Sequence, residues 1–454
     1  MLGMLRWSMA RCATSVTRLE FALLWAYALS EMLLTCVVAS RGCTRNQPMR
    51  TLLVTHLIPY PPDTGGKAVA WDTLRSLARL GSVDLCAFVP PWTRVDGMEH
   101  VSQVAGRVVT LPLRRRSPRV FFLPLCAARG VPYYILRDYS DAMRRRIREM
   151  APAYDVIVAD SLYTAPYVAD LDRPRILQEH NVESHLVEAF LSRRGPLASG
   201  AGQFELRHLR AFERDSCNVF DAIVALSDLD RRRLEALGVR GPITVAPPAV
   251  DPVEATPDGP ERRNVVYLGT HHWPPIADGL RWYLREVHPH VSPHLQHAQV
   301  VFAGPRPPHD VQSAAERGGI RVLGYVENTD SIYHSAAVFM VPLRIGGGVR
   351  LKILHALARG LAVVSTTAGC EGLDLVPDRH LLVADDPREF AAAVLRVLRD
   401  PELRRRLGAE GRAHVLDRFS VERRDATLAA LAEKVSGKSR VTRPIPRPSR
   451  RGQP

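Results

Sequence analysis

Short apolar runs rich in β-branched residues alternate with longer segments of helical character along most of this chain. This alternation predicts parallel sheets flanked by helices, because each parallel strand needs a crossover before the next one. The predicted strands of a first series are Leu52–Thr55, Val83–Phe88, Val108–Leu111, Val156–Ala159, Arg175–Gln178, Ala222–Ala225 and Ile243–Ala246. Those of a second series are Val265–Leu268, Gln299–Phe302, Ile320–Leu323, Val338–Val341, Ala362–Ser365 and Leu381–Val383. The predicted fold class is therefore α/β, with two successive sheets.

A segment rich in proline and polar residues, 252–260, separates the two series and is typical of a hinge. We therefore expect two Rossmann-like domains, the first over residues 49–251 and the second over residues 261–418. A further helix is predicted over residues 419–436. The tail 437–454 is rich in proline and arginine and is predicted to be disordered.

The N-terminal extension, residues 1–48, admits two interpretations. The segment 21–40 is largely apolar but contains Glu31, which fits a weak membrane anchor. Alternatively, translation starts at Met49, because the residues that follow it have the character of a first strand. We favour the second interpretation.

The net charge of +14 is concentrated at the two ends of the chain. The body between them is only weakly basic and carries no platform of aromatic and basic residues, so nucleic acid is not an expected partner. The seven cysteines are scattered and form no Cys-x-x-Cys pair, which indicates neither a disulfide framework nor a zinc site. This composition fits a protein of the reducing cytoplasm.

Three consecutive glycines, Gly346, Gly347 and Gly348, precede a predicted short helix. Glycines let the backbone turn its N–H groups toward an anion, and the start of a helix adds the positive end of its dipole. Arg350 and Lys352 place two cations at the same point. This combination predicts a pocket for a diphosphate.

Residues 341–373 resemble, in order and spacing, the donor-binding segment of the family 4 retaining glycosyltransferases, especially the subgroup that serves polysaccharide assembly. The resemblance extends over about residues 50–435. It implies the GT-B architecture, in which two Rossmann-like domains face each other across a cleft. It also implies transfer of a sugar from a UDP- or GDP-linked donor to a hydroxyl of a saccharide or lipid-linked acceptor, with retention of configuration, no metal ion and no cofactor.

The resemblance also assigns roles to individual residues. Arg350 and Lys352 would stabilise the leaving diphosphate, and His180 would face the donor sugar, so these three are the candidate catalytic residues. The candidate donor-binding residues are Gly65, Gly66, Gly269, Gly324, Gly347, Gly348, His355 and Glu371. Glu179 and Glu183 would be candidate bases if the reaction inverted the configuration instead.

One departure from the family pattern concerns its two glutamates separated by seven residues, which fall here at Gly347 and His355. The second glutamate normally holds the nucleotide ribose through its hydroxyls. A carboxylate offers two acceptor oxygens to a diol, whereas a neutral imidazole offers one acceptor and one donor. Three interpretations follow: an enzyme with an altered grip on the donor, a paralogue that binds without turnover, or an accessory protein. The remaining motif residues favour the first.

Two further functions stay open at this point. A nucleotide-sugar epimerase or hydrolase would use the same fold, and a catalytically silent subunit of a polysaccharide assembly system would need no chemistry. The basic run 114–119 precedes the apolar run 120–125, which fits either peripheral contact with an anionic membrane at the inner face of the plasma membrane or a charged loop before a core segment.

Overall fold

The computed structural model describes residues 49–91, 98–114, 131–193, 199–257, 259 and 262–437. The predictions for residues 1–48, for the tail beyond Gly437 and for nearly all of the segment 114–125 concern residues outside these ranges.

Two parallel sheets form the framework of the molecule. The first has seven strands in the order β3-β2-β1-β4-β5-β6-β7 and the second has six in the order β10-β9-β8-β11-β12-β13. The strands of the first sheet are β1 Met49–Leu57, β2 Gly81–Val89, β3 Val108–Pro112, β4 Val156–Asp160, β5 Arg175–Glu179, β6 Ala222–Ala225 and β7 Ile243–Val245. Those of the second are β8 Asn264–Leu268, β9 Val300–Ala303, β10 Arg321–Leu323, β11 Ala336–Val341, β12 Val363–Ser365 and β13 Leu382–Val383. Every predicted strand is present, and the predicted α/β fold class with two successive sheets is confirmed.

The central strands are buried on both faces, as expected for parallel strands covered by helices. In β1, Leu52 and Val54 join one apolar cluster, whereas Leu53 joins another. All five residues of β4 are buried. This explains why these strands have continuous apolar sequences rather than alternating ones.

Helices connect the strands on both sides of each sheet. The helices of the first half are α1 Gly65–Leu80, α2 Met98–Val104, α3 Tyr133–Asp138, α4 Asp141–Met150, α5 Ala165–Val168, α6 Glu183–Leu191, α7 Ser199–Cys217 and α8 Asp228–Leu237. Those that follow are α9 Pro274–Trp282, α10 His288–Val291, α11 His309–Arg317, α12 Asp330–Ser335, α13 Leu351–Ala358, α14 Thr367–Cys370, α15 Pro387–Arg399, α16 Pro401–Arg418 and α17 Val421–Ser436. No helix within the described ranges is long and apolar enough to cross a membrane.

The strand order places the candidate site. It reverses between β1 and β4 in the first sheet and between β8 and β11 in the second. Ligands of open α/β sheets bind in the crevice at the carboxyl ends of strands beside such a reversal. At these ends the segment after β1 lies beside the one after β8, and the segment after β5 lies beside the one after β11.

The last helix, α17, returns to the first sheet. Ser420 caps its start by accepting a hydrogen bond from the Arg423 N–H. Its apolar residues Leu428, Leu431 and Val435 belong to an apolar cluster of the first sheet. The helix predicted over 419–436 is thus present, and burial of this apolar stripe holds it against the first half of the chain.

Candidate active site

The glycine loop before α13 approaches the first half of the protein closely. Gly347 and Gly348 have φ angles of 143° and 67°, a region that side chains rarely adopt. A Cβ atom at Gly347 would lie 2.8 Å from Leu186 Cδ1, and one at Gly348 would overlap Asn181 Oδ1. The backbone conformation and the close approach both explain why glycine stands where the family pattern has its first glutamate.

Arg350 and Lys352 lie behind this loop. Arg350 is the residue that precedes α13, and its Nη2 donates to the Ile345 carbonyl over 2.9 Å. Its Nε is buried without a hydrogen-bond partner among the described residues. Lys352 Nζ lies 2.9 Å from Tyr267 Oη and 4.7 Å from the centre of the Tyr267 ring. The Lys352 ammonium thus lies at the end of β8, the strand that carries Tyr267.

These two cations have no ionic partner within the described part of the chain. Glu371 acts on Arg350 only through longer-range attraction. Burial, and next the charge of Arg350, lower the pKa of Lys352 to about 7. A Cβ atom at Gly269 would lie 2.5 Å from Lys352 Nζ, so a side chain at this position would collide with the ammonium group. The arrangement has excess positive charge and can accept an anion.

His180 directly follows β5, and Asp160 orients it. The two residues end neighbouring parallel strands, and His180 Nε2 lies 2.8 Å from Asp160 Oδ1. On its other side, a Cβ atom at Gly66 would lie 3.6 Å from His180 Nδ1. The His180 carbonyl also faces Gly348. The structure therefore brings His180, the loop after β1 and the glycine loop together.

His355 lies one turn beyond Lys352 on α13, which places both side chains on one face. Burial, and next the charge of Arg359, lower the pKa of His355 to about 4, while Asp251 acts in the opposite direction. The imidazole is therefore neutral near pH 7. Asp251 itself forms a two-pronged ion pair with Arg75 over 2.6 and 2.7 Å.

Glu371 has a partner that the sequence did not indicate. Its carboxylate pairs with Arg233, which α8 carries in the first half of the chain. It also stands beside Gly346, where a Cβ atom would overlap it. Glu371 is thus close to the glycine loop and at the same time joins the two halves.

Two of the predicted donor-binding residues stand apart from these contacts. Nothing lies within 4 Å of the position that a Cβ atom would take at Gly65 or at Gly324. Gly65 opens α1, and the Gly324 carbonyl accepts a hydrogen bond from Gly304 over 3.1 Å. Both leave open space beside the backbone.

Of the two candidate bases, Glu179 is 1 % exposed. Burial, and next the charges of Glu213 and Glu183, raise its pKa well above the ordinary value. Burial also raises the pKa of Glu183, whose carboxylate accepts from Asn181 Nδ2 over 3.2 Å. Glu179 is therefore closed off from any substrate in the cleft.

Sequence reasoning missed Asp160, Asn181, Arg233 and Tyr267. Only Asp160 carries a usable signal, because it directly follows the predicted strand Val156–Ala159, and the next predicted strand along the chain leads to His180. Among the residues that the structure describes, no group of three or more His, Cys, Asp and Glu side chains is placed to hold a metal ion.

Comparisons with known proteins agree with this architecture. A family model described as glycosyl transferases group 1 matches residues 262–400, and one described as glycosyltransferase family 4 matches residues 64–254. The uncharacterized 44.6 kDa protein in the cps region of Klebsiella pneumoniae is 25% identical over 366 residues, which are 76% of this chain and 90% of the relative.

Solved structures resemble this chain in fold at low sequence identity. HepE of Anabaena in complex with UDP-glucose has a TM-score of 0.63 at 12% identity, over 85% of this chain and all (100%) of that one. Sucrose-phosphate synthase of Thermosynechococcus elongatus has a TM-score of 0.62 at 16% identity, over 85% and 99%. WaaG, a glycosyltransferase involved in lipopolysaccharide biosynthesis, has a TM-score of 0.59 at 13% identity, over 86% and 100%. The solved structures show the GT-B fold. The two family matches together span most of the described residues, and this chain belongs to the family 4 glycosyltransferases.

Proposed function

We propose that this glycosyltransferase takes its sugar from a UDP- or GDP-linked donor and transfers it, with retention of configuration, to a hydroxyl of a saccharide or lipid-linked acceptor. The observation that carries the proposal is the pair Arg350 and Lys352, two partly buried cations without an ionic partner in the described ranges, behind a glycine loop. A diphosphate bound there would supply the missing negative charge. The UDP-glucose in the HepE structure supports a donor of this class.

The chemistry proposed for this site is departure of the nucleotide diphosphate. Negative charge develops on the leaving oxygen in the transition state, and Arg350 and Lys352 would stabilise it from fixed positions. These two cations provide the positive charge for this step, so the proposed mechanism uses no metal ion or cofactor.

Retention in this proposal follows from attack on the face that the diphosphate leaves. The acceptor oxygen bonds to the anomeric carbon as the bond to the diphosphate breaks, and the departing diphosphate oxygen takes the hydroxyl proton. His180, held by Asp160, would orient the sugar. The burial of Glu179 removes one of the two carboxylates that an inverting reaction would use as its base, because that base must be exposed to the acceptor.

The acceptor proposed is a saccharide of a polysaccharide assembly route, free or linked to a lipid. The likeness to WaaG supports this class. With a lipid-linked acceptor, the protein would work in the cytoplasm at the inner face of the plasma membrane, in peripheral contact with anionic lipid. A deletion of residues 115–125 would then reduce binding to anionic vesicles.

The test of the donor class is a panel of UDP- and GDP-sugars, with binding measured by calorimetry on the full chain. We expect one donor to bind, and Lys352→Met to weaken that binding at least tenfold by removing a charge-assisted contact. The matched control is Lys434→Met, since Lys434 is exposed on α17. Equal loss in both variants, or no binding at all, would contradict the proposal and leave an accessory subunit as the better function.

Turnover separates the remaining alternatives. Release of UDP or GDP only in the presence of an acceptor extract supports transfer, and proton NMR of the product then reports its anomeric configuration. Donor consumption without any acceptor would instead identify a hydrolase or an epimerase.

A further inference from the structure

A buried chain of polar contacts runs from the last helix to His180. Arg424, on α17, donates from Nη2 to Gln178 Oε1 over 3.1 Å. Gln178 Nε2 donates to Asp160 Oδ1 over 2.6 Å, and the same oxygen lies 2.8 Å from His180 Nε2. Arg424, Gln178 and Asp160 are each no more than 2 % exposed. Water therefore has little access to compete for these contacts.

The directions of the hydrogen bonds in this network follow from its two charged members, Arg424 and Asp160. A guanidinium can only donate, so the oxygen of the Gln178 amide must face Arg424. The amide nitrogen then faces Asp160 and donates to it, which suits a carboxylate that can only accept. Asp160 Oδ1 accepts from Gln178 and is left to accept from His180 as well. His180 must therefore carry a proton on Nε2, and its neutral form has the acceptor lone pair on Nδ1.

Nδ1 is the nitrogen that lies beside the start of α1. A Cβ atom at Gly66 would be 3.6 Å from it, so the ring lies next to the backbone of the first turn of this helix. In the opposite tautomer, Nε2 would place a lone pair against a carboxylate, and Nδ1 would be a donor. The tautomer thus decides whether His180 presents a hydrogen-bond donor or a hydrogen-bond acceptor at the cleft.

We propose that Arg424 is a positioning residue for His180, which acts through Gln178 and Asp160 to keep the imidazole protonated on Nε2 and to present Nδ1 at the cleft. The role of Nδ1 toward a substrate rests on the proposed transferase activity. The tautomer of His180 in the free protein does not depend on that activity.

Arg424 is held independently of His180, as a positioning residue must be. Its Nε lies 2.8 Å from Asp72 Oδ2, and Nη1 donates to the carbonyls of Ala246 and Pro247 over 2.5 and 2.9 Å. These carbonyls directly follow β7, where the chain leaves the first sheet. The same guanidinium thus ties α17 to the segment that leads into the hinge and to the histidine. Docking of the last helix is thereby coupled to the state of His180.

The test is nitrogen NMR of histidine-labelled full-length protein without any substrate, so its result does not depend on the activity. His180 is assigned by the resonance that disappears in His180→Gln. We expect the neutral ring to be protonated on Nε2 in the wild type. Gln178→Leu removes the link, and we expect the ratio of the Nε2–H to the Nδ1–H tautomer to fall roughly twofold to tenfold, the effect of one lost hydrogen bond. Arg424→Met should act in the same direction.

Arg79→Met is the matched control for Arg424→Met. Arg79 pairs with Asp425, the neighbour of Arg424 on α17. Loss of Arg79 loosens the same helix but removes none of the hydrogen bonds that link Arg424 to His180. The tautomer ratio should stay at its wild-type value in this variant. A wild-type His180 protonated on Nδ1, or a ratio unchanged in both Gln178→Leu and Arg424→Met, would overturn the proposal. If Arg424→Met fails to fold, Gln178→Leu still tests the link, and the wild-type spectrum still tests the tautomer.

Discussion

The ammonium of Lys352 lies 2.9 Å from the phenolic oxygen of Tyr267, and its charge is held there with no carboxylate partner within the described ranges. Tyr267 is fully buried, and burial raises its pKa far above the ordinary value, so its hydroxyl stays neutral. A neutral hydroxyl and the face of an aromatic ring offset only part of the free-energy cost of removing an ammonium group from water. The pKa of Lys352 is lowered to about 7 for this reason, and an anion from outside the chain can restore it.

Binding of a UDP- or GDP-sugar should therefore take up a proton, because its esterified diphosphate has no group that titrates near neutral pH and Lys352 is the group that gains the proton. The free ammonium loses its proton as the pH rises through about 7, whereas the bound diphosphate raises this pKa. Affinity should be constant below pH 6 and should fall as the pH rises above 7, by up to about tenfold per pH unit. Calorimetry in two buffers of different ionisation enthalpy at pH 8 measures the uptake, which we expect to approach about one proton per site.

Lys352→Arg is the control for this uptake, because a guanidinium keeps its charge over the whole pH range. Its binding should be independent of pH and should take up no proton. Equal proton uptake in this variant would place the titrating group elsewhere.

His355→Glu should strengthen donor binding. The imidazole is neutral near pH 7, and a carboxylate at the same position gains a charge-assisted hydrogen bond to the ribose diol. We expect about a tenfold to hundredfold lower Kd for the best UDP- or GDP-sugar, measured by calorimetry. His355→Gln, a neutral variant of similar size, should gain much less, and equal affinity of all three proteins would show that His355 does not face the ribose.

Gly348→Ala should destabilise the protein and weaken donor binding together. The φ angle of 67° costs a side chain roughly 1–2 kcal/mol, and the new Cβ atom would displace Asn181 beside His180. Urea unfolding reports the loss of stability. Gly65→Ala is the control, because its Cβ atom would meet nothing within 4 Å. If the two variants unfold at the same urea concentration, the approach of the glycine loop to Asn181 is not as close as described.

The ion pair of Arg233 with Glu371 should couple the two halves. Its side chains are 17% and 25% exposed, so a double-mutant cycle of Arg233→Met and Glu371→Gln should give a coupling of about 1 kcal/mol in unfolding. If Glu371 also contacts the donor sugar, Glu371→Gln alone should weaken donor binding more than Arg233→Met. Additive effects on unfolding would refute the pair.

Local patterns in the sequence were enough for the fold. Strands such as Val156–Asp160 and Ala336–Val341 are short, buried and apolar, and their alternation with helices leaves few ways to connect them. The glycine loop and Lys352 were recognisable for a similar reason, since their spacing along one loop and one helix already places them together. The conformational preference of glycine and the period of the helix depend on only a few neighbouring residues, so they can be predicted from the sequence.

The partners of the site residues were decided only by tertiary structure. Arg424 and Gln178 are 246 residues apart, and Glu371 meets Arg233 across 138 residues. Nothing in the local sequence of either residue points to the other, because such pairs form only after the two sheets and the last helix have packed. The same packing removes Lys352 and His355 from most of their contact with water and so lowers the pKa of both. The sequence by itself thus determined the framework and its glycine loop, whereas desolvation and long-range pairing, which exist only in the folded chain, determined which side chains carry charge at the site.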